Sequence, residues 1–116
     1  RNGIKFDSKL EAHMYDLLVE SGLNFAFQKK YTLLPSFKYR SESVREMTLT
    51  VDFEIYLPKL VIIDTKGYQR EDNKLKWKWF KKMMNDTGDP PEIFFPKSKV
   101  ACKQLINYLK TNAHSR

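Results

Sequence analysis

Asp52, Asp64 and Lys66 are the residues whose types and spacing point to chemistry. Asp52 and Asp64 are equidistant from Pro58, and Pro58-Lys59 marks a turn between two apolar runs. If those runs pair as a β-hairpin about the turn, the two aspartates oppose each other. Directly opposed side chains share one face of a sheet, with Cβ atoms about 5 Å apart. Lys66 comes two residues after Asp64 and shares that face.

Like charges opposed across two strands repel and weaken a hairpin. A divalent cation offsets that cost. Magnesium takes hard oxygen ligands, usually one or two carboxylates with water and substrate phosphate. The backbone carbonyl of Thr65, between Asp64 and Lys66, is a further candidate oxygen. A cation so held polarises a phosphoryl group and acidifies bound water. Lys66 would orient that water or stabilise charge developing on phosphorus. Spacing alone leaves a plainer alternative open: a surface pair of Asp64 with Lys66 and a solvated Asp52.

The elements that must position these groups follow from the pattern. Ser8-Lys9-Leu10-Glu11 has the form of a capping box and opens a helix expected over Ser8 to Ser21. Leu10, Met14, Leu17 and Leu18 give it an apolar face, with Glu11 at the flank, and Gly22 ends it. A strand is expected near Asn24 to Leu34, with Phe25 and Phe27 on one face and Gln28 on the other. Pro35 to Met47 lacks a clean period and reads as a mobile basic loop, with extension into strands at its ends left open, carrying Lys38, Arg40 and Arg45.

Thr48 to Leu57 alternates, placing Val51, Phe53 and Ile55 on one face and Asp52, Glu54 and Tyr56 on the other. Glu54 would oppose Ile62, away from the Asp64 end, and is expected to be structural or peripheral. Leu60 to Lys66 is the second hairpin strand. A helix is expected over Glu71 to Asn85, a short strand over Glu92 to Phe95, and a final helix from Lys97 to Asn112 with Ser98 as its cap. Val100, Leu105, Ile106 and Leu109 would face inward. A right-handed crossover would lay the Glu92 strand parallel to the second hairpin strand. The order is α-β-β-β-α-β-α, a small mixed sheet flanked by helices, read as one domain over 1–116.

The 116 residues are 41% hydrophobic, enough for a core, and carry a formal net charge of +7, which favours a polyanionic partner. One cysteine, Cys102, excludes an internal disulfide and Cys-rich zinc sites, and reads as a buried inert thiol. No apolar run suits a membrane span and no signal peptide is visible, so an intracellular protein without membrane contact is expected.

The expected helix Glu71 to Asn85 puts Lys74, Lys78, Lys81 and Lys82 on one side, available to phosphates or merely solvated. Leu75, Trp77, Trp79, Phe80, Met83 and Met84 form an apolar arc read as core. Lys76 falls within that arc and must find an opening or a carboxylate; it is expected to reach the Asp52–Asp64 cleft and bind phosphate. Gln28 would line the same cleft. Lys38, Arg40 and Arg45 would hold DNA backbone. No base-reading motif is present, so phosphate and shape recognition are expected.

Val51-Asp52-Phe53, then a hairpin and Ile62-Ile63-Asp64-Thr65-Lys66-Gly67, resembles the PD-(D/E)XK nuclease superfamily, in which an Asp on one strand precedes Asp/Glu-x-Lys on the next. The preceding helix, bearing Glu11, also matches. The resemblance spans about Lys5 to Phe95 and is nearest to phage-type endonucleases and Holliday junction resolvases. Val51 stands where the superfamily often has proline, a residue that is not a ligand. The resemblance implies an α/β restriction-endonuclease-like core and a divalent-metal-dependent DNA endonuclease acting on Holliday junctions or other branched DNA. It further implies catalytic residues Glu11, Asp52, Asp64 and Lys66, and Mg2+ with Mn2+ able to substitute. The ion would be held by Asp52, Asp64 and the Thr65 carbonyl, with Glu11 reaching it through water. Symmetric cutting of a four-way junction implies a homodimer. The compartment would be the cytoplasm of a bacterial or phage-infected cell. Alternative readings are a nicking, end-processing or restriction-like nuclease on duplex DNA, and a basic DNA-binding module without catalysis.

Overall fold

The computed structural model describes residues 3–65 and 71–114. The chain forms α1 (Lys9–Ser21), β1 (Phe25–Leu34), β2 (Phe37–Tyr39), β3 (Glu42–Val44), β4 (Met47–Tyr56), β5 (Leu60–Ile63), α2 (Glu71–Asn85), β6 (Glu92–Phe94) and α3 (Lys99–His114). With β2 and β3 set aside, the order is the one expected. The fold is mixed α/β, with three helices and a mixed four-stranded sheet in the order β1-β4-β5-β6.

Local chemistry sets the element ends. Ser8 caps α1 by accepting a hydrogen bond from the Glu11 amide at 3.0 Å, and Gly22 closes it at φ 75. The return arm of the expected capping box is displaced by one residue: Glu11 Oε1 accepts from the Asp7 amide, at 2.7 Å, rather than from that of Ser8. Ser98 caps α3, its Oγ accepting from the Ala101 amide at 3.1 Å. The β4–β5 hairpin pairs Phe53 with Ile63, Glu54 with Ile62 and Ile55 with Val61, the register symmetric about Pro58. β6 runs parallel to β5, and the Asp64 amide extends that ladder to the Phe94 carbonyl at 3.0 Å.

Both faces of the sheet are covered, which explains why β5 is an unbroken apolar run. Val61 and Ile63 pack with Met14 and Leu18 of α1 and with Cys102, Leu105, Ile106 and Leu109 of α3. Ile62, between them, packs with Trp77 and Phe80 of α2. Among the described residues no helix is long and apolar enough to cross a membrane. Burial pushes the Cys102 thiol up to about 11, in keeping with an inert thiol.

Several expectations change. Pro35 to Met47 is not a shapeless loop: β2 and β3 pair as an antiparallel hairpin, Phe37 with Val44 and Tyr39 with Glu42, turning at Arg40 with φ 56. Leu75, Trp79 and Val100 are exposed, not core, at 64%, 48% and 67%. Leu75 and Trp79 each stand about 160° round α2 from Trp77, which meets the sheet, so they face away from it, and Val100 sits in the first turn of α3. The alternation of β4 also breaks. Phe53 and Ile55 pack toward α1 and α3, but Leu49 and Val51 pack toward α2. β1 does the same, with Phe25 and Phe27 on the first side and Tyr31 and Leu33 on the second.

Both reversals flank one place. Gln28, which stands opposite Asp52 by count, has φ 56, a left-handed conformation that costs an L-residue about 1–2 kcal/mol. Before Phe53, β4 pairs with β1 alone, and two-stranded ribbons twist more strongly than wide sheets.

Gln28→Val should destabilise the fold by about 1–2 kcal/mol more than Gln28→Gly, because a β-branched residue resists φ 56 and glycine does not. Leu18→Ala should cost about 2–5 kcal/mol and Val19→Ala less than about 1 kcal/mol. Urea unfolding midpoints check both.

Candidate active site

The reversal at Gln28 and Asp52 opens a cleft of about 300 Å³ between the sheet and α2. Its lining includes Asp7, Gln28, Thr50, Asp52, Asp64 and Lys76. Asp52 and Asp64 therefore share one side, as the hairpin register requires. Both are buried, at 6% and 5% exposure.

The two carboxylates are cross-tied by their own strands. Asp52 Oδ2 accepts from the Thr65 amide and the Thr65 hydroxyl, each at 2.8 Å. Asp64 Oδ2 accepts from the Asp52 amide at 3.2 Å. Each aspartate is thus oriented by the strand that bears the other. Hydrogen bonds to a charged acceptor are worth about 1.5–3 kcal/mol each. Two carboxylates about 5 Å apart repel by roughly 3 kcal/mol at an effective dielectric constant near 20. The bonds are of the size needed to hold the pair in place.

Lys76 comes from α2 on the cleft-facing side, together with Asn73 and Trp77. Trp77 is 1% exposed and anchors the helix, packing its ring edge-on against Phe80 and Phe95. Lys76 thus reaches an opening, which resolves the conflict of a lysine in an apolar arc. Gln28 lines the same cleft from β1.

Glu11 is placed differently. It is fully buried in α1, and its link to the cleft runs through the amide of Asp7, a lining residue. Among the described residues no three of His, Cys, Asp and Glu are grouped closely enough to hold one ion, so Glu11 does not complete a cluster with Asp52 and Asp64. Lys66 lies outside the described residues. Glu54 is buried away from the pair and accepts from the Tyr56 hydroxyl at 2.7 Å, a bond that pushes the Tyr56 phenol up. Its expected structural part is consistent with that bond.

The basic residues fall into separate groups. Lys74 pairs with Glu71 at 3.4 Å and, with Lys78 and Lys81, lines another surface hollow on α2. Lys38, Arg40 and Arg45 are exposed on and beside the β2–β3 hairpin, and Lys38 Nζ donates to Ser43 Oγ. None of these lines the cleft of Asp52 and Asp64.

Sequence reasoning missed Asp7, Asn73, Thr50 and the Thr65 side chain. Asn73 had a usable signal: it precedes Lys76 and Trp77 by three and four residues, which places it on their helical face. Asp7 had none, since its position depends on how the chain enters α1.

A family described as "Protein of unknown function (DUF1064)" matches residues 1–90, a span that contains the cleft residues. No curated protein and no solved structure matches the chain.

Thr65→Val keeps the shape of the side chain and removes one of the bonds to Asp52. It should destabilise the fold by about 1.5–3 kcal/mol with an unchanged denaturant slope. Guanidinium titration checks this, and an unchanged midpoint would remove the hydroxyl from the account.

Proposed function

We propose that this chain, which belongs to the DUF1064 family of proteins of unknown function, is a divalent-metal-dependent DNA endonuclease of the PD-(D/E)XK kind. The observation that carries the reading is the cross-tied Asp52–Asp64 pair in one cleft with Lys76. The helix and strand order around the four-stranded sheet supports a restriction-endonuclease-like core, with β2–β3 as an addition.

The donor set fits magnesium. Two buried carboxylates on neighbouring strands, with the Thr65 carbonyl, are hard oxygen ligands, and manganese accepts the same set. The bound ion supplies Lewis-acid polarisation of the phosphate and a more acidic water. Lys76 binds the substrate phosphate where α2 meets the cleft. Lys66, two residues past Asp64, orients the attacking water and balances negative charge. Asp52 and Thr65 lock each other in place, so neither carboxylate has to reorganise when substrate enters. Glu11 acts as a positioning residue, holding the segment at Asp7 through its amide.

The substrate in this reading is branched DNA, a Holliday junction foremost, cut by a homodimer. Lys38, Arg40 and Arg45 on the exposed hairpin, with Lys74 and Lys78 on α2, contact phosphates away from the scissile bond and confer no base preference.

Labelled linear duplex, flap and four-way junction DNA, each with magnesium, manganese or chelator, test the proposal. Metal-dependent cutting is expected, fastest on the junction. Asp52→Asn, Asp64→Asn and Lys66→Ala should each lower turnover by about 10²-fold or more while leaving the Kd for DNA within about threefold. Lys76→Ala should weaken binding as well as turnover. Cutting that persists in chelator or in Asp64→Asn would refute the mechanism. Faster cutting of plain duplex would replace the branched substrate with a linear one.

A further inference from the structure

α2 carries an exposed tryptophan that neither the core nor the cleft uses. Trp77 is 1% exposed, but Trp79 is 48% exposed. Leu75, one turn earlier on the same stripe, is 64% exposed. Trp79 follows Lys76 by three residues, so at about 100° per residue it lies about 60° further round the helix from the lysine that lines the acidic cleft. Lys82, which pairs with Asp86 at 2.8 Å, lies about 60° from Trp79 on the side away from Lys76.

An indole half in water next to lysines is a poor core residue and a good stacking platform. Its flat face accepts any unpaired base, and the lysines track the backbone charge beside it. Paired bases in a duplex offer no such face except at an end or a branch. The charge suits a polyanion: α2 holds Lys74, Lys76, Lys78, Lys81 and Lys82 against Glu71 and Asp72, in a chain of net charge +7. We infer that Trp79, with Leu75 beside it, is a binding site for an unpaired base of single-stranded nucleic acid leading to or from the cleft. The inference rests on the nuclease reading of that cleft and adds to its branched substrate a base unstacked at the branch or at a single-stranded end.

The two tryptophans make the test direct, because Trp77 is shielded and Trp79 is not. In chelator, an oligothymidylate of about 12 nucleotides, within the usual range of single-strand site sizes, should quench the tryptophan emission to a plateau. Trp79→Phe should lose most of that quenching and keep the affinity within about threefold, since phenylalanine also stacks. Trp79→Ala should bind the oligomer roughly tenfold more weakly and blunt duplex less than about threefold more weakly. The absence of quenching in the parent chain would overturn the inference, and so would equal losses on both DNAs in Trp79→Ala. Asp64→Asn should bind the oligomer normally. If it abolishes cutting while Trp79→Ala leaves binding intact, this inference falls and the catalytic one stands. If quenching follows the expected pattern but no DNA is ever cut, the catalytic reading falls and the base-stacking site remains.

Discussion

Electrostatic repulsion between two aspartates on facing strands is the constraint around which the fold is organised. Left in water, two such carboxylates would turn apart. Inside a sheet they cannot, and desolvation sharpens the conflict. The chain answers with donors at fixed positions. The Thr65 amide and hydroxyl serve Asp52, and the Asp52 amide serves Asp64. The arrangement is reciprocal, so the hairpin and the pair stabilise one another. It also sets both carboxylates, largely buried, in the lining of the cleft with their oxygens already oriented.

The rest of the architecture keeps that arrangement rigid and reachable. β6 pins the Asp64 backbone from one side and β4 faces it from the other. Helices on both faces bury the apolar residues of β5, so the end of the strand has little freedom. The cleft exists because β1 and β4 change sides together at Gln28 and Asp52. A regular sheet would have carried Leu49 and Val51 on toward α1 and α3, leaving α2 without the apolar floor on which Trp77 rests.

The sequence was legible where short-range rules act. Pro58 marks the turn, and symmetry about it yields the observed β4–β5 register. The bounds of α2 follow from its pattern, and Lys76 was legible because a charge within an apolar arc needs an exit. What escaped depends on long-range packing or on rare backbone states. No propensity places glutamine at a positive φ within a strand, so the side change of β1 and β4 was invisible. Helical period put Glu11 at a flank, but its complete burial follows from how α1 meets the sheet. Trp79 and Leu75 belong to an apolar arc too broad to be buried whole, each about 160° from Trp77, and packing alone settles which part of that arc meets the sheet. β2 and β3 are too short, and too polar on one side, to announce themselves by alternation.

The β2–β3 hairpin bonds to itself and packs little on the remaining elements, and it joins them only through 35–36 and 45–46. Its length, charge and tip are therefore nearly uncoupled from the geometry of the aspartates. Evolution can rewrite or exchange this arm without disturbing the cleft. Insertions, deletions and changes of charge should accordingly gather in this arm and spare the pair of aspartates.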